Sequence, residues 1–235
     1  MAKTPVSVVV DDIAKDFVEE APREELVARI QGSAAPVADV LRALAHHRDG
    51  NLRDWAIQVV GDLVRAGGFD ETTGLELIKG RALNDPDSEI RDEATRLFVA
   101  LAPARAAELI PRLRARLRSK DYFLPVSAMW LLLELGDRDA IPLIQRYRDR
   151  MGTDRWQGKQ ADIVLAVFDR NDYVLAERIA SHDHDMMHVL CRAAEALGTS
   201  ALREALRKCR DGDVDADCRR WCADSLSTVE QKIQG

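Results

Sequence analysis

A short apolar template recurs along this chain and constrains its fold more than any other feature. In LRDWAIQVVGDL (52–63), apolar or small residues stand at Leu52, Ala56, Val59, Val60 and Leu63. The same i, i+4, i+7, i+8, i+11 spacing returns in IRDEATRLFVAL (90–101) as Ile90, Ala94, Leu97, Phe98 and Leu101. It returns again as Leu124, Ala128, Leu131, Leu132 and Leu135. Shorter matches surround Ala161 (Val164, Leu165, Phe168), Ala194 (Leu190, Leu197) and Cys222 (Cys218, Leu226, Val229). Intervals of three and four set such residues on one stripe of an α-helix. The small central residue falls at 56, 94, 128, 161, 194 and 222, a step of roughly 33 residues, which is the length of a helical repeat unit.

Between these helices lie second apolar-periodic segments: TTGLELIKGRAL (72–83), RAAELIPRLRARLRS (105–119), AIPLIQRYRDR (140–150) and SALREALRKCR (200–210). NDPDS (84–88), LGDRD (135–139), GTS (198–200) and DGDVD (211–215) supply turn and helix-cap chemistry between them. Further helix-like stretches at 11–20, 23–31 and 36–46 make residues 1–48 a terminal cap or degenerate first repeat. Only VSVVV (6–10) lacks a helical reading, and it is far too short for a secretion signal or a membrane span. With 46% hydrophobic, 31% charged and only 5% aromatic residues, the composition favours straight-chain helix formers. One helix pair cannot cover its own stripe, whereas stacked pairs can. The expectation is an all-α chain, one domain over 1–235, wound as a right-handed α-solenoid of about six helix pairs.

LNDPDSEIRDEATRLFVAL (83–101) resembles the first helix of a HEAT repeat, with its Asp-Pro-Asp turn, Ile90-Arg91 pair and small Ala94. SAMWLLLELGDRDAIPLIQRY (127–147) is similar to the phycobilisome-lyase-like HEAT subclass, through its Leu-Gly-Asp turn into an Ala-Ile-Pro helix start. AAEALGTSALREAL (193–206) is a shorter echo. The resemblance implies HEAT-like helix pairs, a pattern that specifies fold well and function poorly. Its members include adaptors, bilin lyase subunits, a di-iron hydroxylase and DNA-repair glycosylases. The hydroxylase would need His-Glu pairs in several repeats, and no His-Glu dipeptide occurs here. No Trp-Trp-Asp-type cluster carries over a glycosylase aspartate, and no spacing marks a chromophore pocket.

The net charge of −6 conceals a division. Residues 1–104 hold 12 Lys and Arg against 19 Asp and Glu, residues 105–159 hold 12 against 7, and residues 160–235 hold 10 against 14. A basic centre in an acidic chain points to a partner that meets the centre, while the overall charge disfavours a dedicated nucleic-acid binder. In RAAELIPRLRARLRSK (105–120), Leu109, Ile110, Leu113 and Leu117 form the expected buried face. That sets Arg105, Arg112 and Arg116 on one flank and Arg114 and Arg118 on the other. One pair later, Ile141, Ile144 and Tyr147 are expected inside and Arg146 and Arg150 outside, followed by Arg155, Trp156 and Lys159. The candidate patch is therefore Arg112, Arg116, Arg146, Arg150, Arg155, Trp156 and Lys159, on second helices that line the concave side of such solenoids. Guanidinium groups suit carboxylates and phosphates. The competing expectation is a solvated face neutralised by Glu108, Asp137, Asp149 and Asp154.

SHDHDMMHVLC (181–191) looks most like metal chemistry. His184, His188 and Cys191 are spaced i, i+4, i+7, as ligands on one helix side would be. The plainer expectation is that Asp183 or Asp185 caps a helix, that Met187 and Leu190 enter the core, and that Cys191 lies beside the stripe. DGDVDAD (211–217) suggests a calcium loop, but counting from Asp211 puts Ala216 and Cys222 where an EF-hand needs Gly and Glu. Cys218 and Cys222 read as small buried hydrophobes. No metal, cofactor or catalytic residue is expected. The expected function is a non-enzymatic, cytoplasmic scaffold or adaptor binding a protein partner. An immunity-type neutralising partner acting through Asp85, Asp87, Glu89, Asp92 and Glu93 is a variant of it, and a nucleic-acid-binding or base-excision protein is the alternative.

Overall fold

The computed structural model describes residues 5–212 and 214–234. The chain divides into two compact units, Met1–Leu109 and Ile110–Gly235. The first holds α1 (Val6–Val18), α2 (Arg23–Gly32), α3 (Val37–Ala45), α4 (Gly50–Arg65), α5 (Glu71–Asn84) and α6 (Ser88–Leu101), with a 3-10 turn at Pro103–Leu109. The second holds α7 (Ile110–Arg116), α8 (Leu124–Glu134), α9 (Ile141–Met151), α10 (Trp156–Phe168), α11 (Asp172–Ala180), α12 (Met187–Leu197), α13 (Ser200–Asp211) and α14 (Ala216–Gln234). Shorter 3-10 turns precede α9 and α12. No strand occurs among the described residues, and residues 6–10 open α1. No helix there is long and apolar enough to cross a membrane.

The six anchors fall on every second helix, α4 to α14, and all are buried: Ala56, Ala94, Ala128, Ala161, Ala194 and Cys222 are at most 1% exposed. In the first unit α4 packs on α6 and α3 on α5. In the second α8 packs on α10, α10 on α12, α12 on α14, and α11 on α13. A stripe left open by one pair is thus covered by the next helix of the same kind. Gly61 shows how close the approach is, since a Cβ there would lie 2.9 Å from Leu97 on α6. The last template positions, Leu63, Leu101 and Leu135, are only half-buried because their helices end there.

Polar residues repeat in the same register. Asp49, Asp87, Asp121 and Asp215 each stand three residues before the first template position. Each carboxylate accepts the N–H two residues on, at 2.9, 2.8, 2.8 and 2.9 Å respectively. This caps the helix that follows. Arg53, Arg91 and Arg219 stand directly after that template position and turn back onto the preceding turn. They donate to the carbonyls of Arg48 (3.1 Å), Pro86 (3.0 Å) and Val214 (3.1 Å), five residues earlier in each case. At the other helix ends, the left-handed backbone of Gly67, Gly136 and Gly198 reverses the chain, with φ of 69°, 67° and 63°. The α10–α11 junction puts Arg170 in that conformation instead, at φ 52°.

The Asp-Pro-Asp turn carries a second device. Asp85, its side chain 0% exposed, forms a bidentate pair with Arg53 at 3.0 Å for both bonds. It also accepts the Asp87 N–H at 2.9 Å, while Arg53 donates to the His47 carbonyl at 3.0 Å. Burial pushes the Asp85 carboxyl up, but the Arg53 hydrogen bonds, the Asp87 N–H and the Arg53 and Arg81 charges outweigh it and hold it below the ordinary value.

Three outcomes follow from this geometry. Arg170→Gly should stabilise the chain by up to about 1 kcal/mol in urea unfolding, because a left-handed conformation strains any residue with a Cβ. Asp85→Ala should destabilise by about 3–5 kcal/mol, since it strands Arg53 as an unpaired buried charge. A carboxyl lowered on folding contributes fully above its unfolded value of about 3.9, and the contribution is lost as pH falls through the lower folded value. The acid limb of the stability–pH curve should therefore flatten in Asp85→Asn.

Candidate functional site

The turn joining α7 to α8 is SKDYF (119–123). Asp121 accepts the N–H groups of Phe123 and Leu124 at 2.8 and 3.0 Å, which caps α8 and leaves the two aromatic residues of the turn facing outward. Tyr122 is 52% exposed and Phe123 60%. Tyr122 lies flat against Trp156, the first residue of α10, with ring centroids 5.8 Å apart and an 8° interplanar angle. Phe123 meets the same Tyr122 edge-on at 4.8 Å. Three aromatic rings from two helix starts thus form one cluster, with Tyr122 and Phe123 in solvent and Trp156 half-buried beneath them. Exposed aromatic clusters of this kind are uncommon outside binding surfaces.

Arginines stand on the segments that flank it. Arg150, near the end of α9, donates to the Leu117 carbonyl at 3.0 Å and sits 5.2 Å over the Tyr147 ring. This ties α9 to the Tyr122 turn. Burial pushes the Tyr147 hydroxyl up to about 12, so it stays neutral. Arg146, one turn earlier, and Arg155, next to Trp156, are exposed and meet no carboxylate among the described residues. Arg118 and Lys120, flanking the turn, are exposed in the same way.

Three of the four expected neutralising acids are engaged elsewhere, while the fourth, Asp154, is exposed beside Arg155 in sequence. Asp137 accepts Arg114 at 2.8 Å, Asp149 accepts Arg148 at 2.9 Å, and in the first unit Glu108 holds Arg105 at 2.8 Å. Positive charge at Arg146 and Arg155 is therefore left for solvent or a ligand.

The sequence-derived patch is rearranged by packing. Arg116 is 6% exposed and belongs to the interior, because α7 is short and its last turn is covered. Lys159 faces Asp183 at 3.9 Å, and Arg150 is occupied by Leu117 and Tyr147. Arg112 is exposed on α7. Arg146 and Arg155 are exposed and Trp156 is half-buried, with Tyr122 and Phe123, which the helical stripes did not flag, packed on Trp156. The available signal was an adjacent aromatic pair between two helix signals in a chain with 5% aromatic residues.

The acidic group offered for an immunity-type surface is largely structural. Asp85 pairs with Arg53, Asp87 caps α6, and Asp92, 8% exposed, holds Arg96 at 2.7 Å. An open cavity of 310 Å³ in the first unit is lined by Asp11, Lys15, Phe17, His47, Arg48 and Asp49, whose mixed charges single out no ligand class.

The helical metal spacing in SHDHDMMHVLC does not form. α12 begins at Met187, so His184 lies in the preceding 3-10 turn, off the face that carries His188 and Cys191. His188 packs against Trp221 with centroids 5.6 Å apart, and its desolvation lowers its pKa. Cys191 is 2% exposed, inside the core and not beside it, with its Sγ 3.9 Å from that of Cys222. Met187 and Leu190 are 0% exposed, as expected. Neither Asp183 nor Asp185 caps α12, whose cap position is Met186. Asp183 instead faces Arg178 at 3.7 Å and Lys159. In the DGDVDAD stretch, Asp215 caps α14 and Asp213 lies outside the described residues.

No protein-family model matches the sequence, and no curated protein matches it. Among solved structures, the crystal structure of an engineered protein from the Northeast Structural Genomics Consortium is similar, at 14% identity and a TM-score of 0.42. The match covers 84% of this chain and 100% of the engineered one.

Proposed function

We propose that this chain is a non-enzymatic interaction protein built of HEAT-like helix pairs, and that the Tyr122–Phe123–Trp156 surface holds an acidic segment of a protein partner. The observation that carries the reading is the occurrence of two unpaired guanidinium groups, Arg146 and Arg155, on the segments next to two solvent-facing rings, Tyr122 and Phe123, that stack onto the half-buried Trp156. Arginine and large aromatic residues dominate the energetics of protein interfaces. A planar guanidinium binds a carboxylate through two parallel hydrogen bonds. The +5 balance of residues 105–159, within a chain of net charge −6, favours an acidic partner over a basic one at this place. The HEAT-like part of the reading is supported by anchors on alternate helices and by caps and arginine back-bonds in one register. On that view α4 to α14 supply about six pairs and α1–α3 the terminal cap.

Selection of random peptides against the full chain should enrich Asp- and Glu-rich sequences. Arg146→Glu with Arg155→Glu, and separately Tyr122→Ala with Phe123→Ala, should each weaken the selected peptides by about 10-fold or more. The charge-swapped variant should keep its unfolding free energy to within about 0.5 kcal/mol, as exposed substitutions do. Enrichment of basic or uncharged peptides would refute the reading. Aromatic side chains beside arginine also suit stacked bases. Binding of a single-stranded oligonucleotide that collapses with salt and depends on Tyr122 would establish that alternative.

A further inference from the structure

Two turns far apart in sequence meet in the second unit. One is the 3-10 turn His184–Met186 ahead of α12, and the other is the turn that opens α14. His184 Nε2 lies 3.4 Å from Asp215 Oδ2. One donor atom from each of His184, Asp215 and Cys218 lies within 4.8 Å of the other two. We propose that these three residues form a zinc site.

Each donor is placed by the fold. Asp215 Oδ1 accepts the N–H groups of Asp217 and Cys218 at 2.9 and 3.0 Å, the helix cap shared with Asp49, Asp87 and Asp121. That bond pair orients the carboxylate and leaves Oδ2 toward His184. Cys218 occupies the first template position of α14 and is 1% exposed, with its thiol hydrogen-bonded to Asp215. His184 stands at the rim with 62% of its side chain exposed, so a cation has an entry path and solvent can supply a fourth ligand.

The donor chemistry selects the cation. Imidazole nitrogen, carboxylate oxygen and thiolate sulfur together suit a borderline ion, and zinc takes all three at about 2.0–2.3 Å. Two ligands at about 2.1 Å on a tetrahedral ion stand about 3.4 Å apart, which is the separation already present between His184 and Asp215. The sulfur has to close in on them by less than the width of an atom. Neutral imidazole, carboxylate and thiolate carry two negative charges between them, matching a divalent ion. Calcium is disfavoured, because it takes six to eight oxygen ligands and no thiolate.

Burial and the Asp215 carboxylate push the Cys218 thiol up to about 12, so the proton shared with Asp215 stays until a cation displaces it to solvent. Behind Cys218 the interior is rich in sulfur. Cys222 Sγ is 3.9 Å from Cys191 Sγ and 3.8 Å from Met187 Sδ, and Cys209 also meets Cys222. The chain's four cysteines thus converge on α12, α13 and α14 as free thiols, with Cys218 nearest the carboxylate. A bound ion would pin the α11–α12 turn to the α13–α14 turn and so staple two successive helix pairs.

The test uses the full chain without a histidine tag, stripped with chelator and titrated with cobalt(II). One cobalt per chain should produce a thiolate-to-cobalt charge-transfer band and the strong visible bands of a tetrahedral site, and zinc should abolish both. Cys218→Ser should lose the charge-transfer band. His184→Ala, at an exposed position, should weaken zinc on the order of 100-fold with an unchanged circular dichroism spectrum, and His188→Ala should leave affinity unchanged. Absence of a thiolate band in the parent chain would overturn the proposal. So would a band that survives Cys218→Ser but disappears in Cys222→Ser, or equal sensitivity to His184→Ala and His188→Ala.

Discussion

Each helix pair in this chain carries a wide apolar stripe that its own two helices do not cover. Within each unit, the rest of the structure is arranged around the helix two places further on, which covers it. The covering helix must come close, so the stripe centres on Ala56, Ala94, Ala128, Ala161, Ala194 and Cys222, the small side chains that let two backbones approach. A small residue at that crossing also concentrates the burial on its larger neighbours, such as Phe98 and Leu132, both 0% exposed. Because each contact joins only neighbouring pairs, stability accumulates pair by pair within each unit.

Close packing moves the polar problem to the helix ends, where first-turn N–H groups and last-turn carbonyls lack partners. The chain answers with the same residues in register. An aspartate caps the start of α4, α6, α8 and α14, and an arginine one residue past the first apolar position reaches back to the preceding turn in α4, α6 and α14. Asp85 extends the device into the interior by joining Arg53 to the next turn. Several acidic residues in this chain are fastenings: in the cluster around 85–93, Asp85 and Asp92 hold arginines and Asp87 caps α6, while Asp87 and Glu89 remain exposed.

Both places with chemistry to offer are turns. SKDYF projects Tyr122 and Phe123 because the Asp121 cap ends the loop abruptly, and the His184 and Asp215 turns converge because α12 and α14 pack together. The stripes tolerate little change, since a lost methylene leaves a cavity. Turn residues are not held by that packing and can vary with the partner. In both places a backbone cap orients the functional group.

The helices and their order are legible in the sequence because burial of a helical face leaves a periodic trace, and the anchors found by spacing are the ones found buried. The turns are legible as turns, through Asp, Gly and Asp-Pro-Asp. Spacing along one helix is a weaker guide to side-chain partners. It set Arg116 outside, although the cover over the end of α7 buries it. It grouped His184 with His188 and Cys191, although the helix starts after His184. It also missed that SHDHDMMHVLC and DGDVDAD, each weighed separately, are neighbours in space. The sequence by itself determined the local register of stripe, cap and turn, because those follow from contacts a few residues apart. Only the tertiary structure decided which charges are already paired, which aromatic rings remain in solvent and which donor groups lie side by side. Those depend on contacts between residues some 30 positions apart, and no local pattern records them.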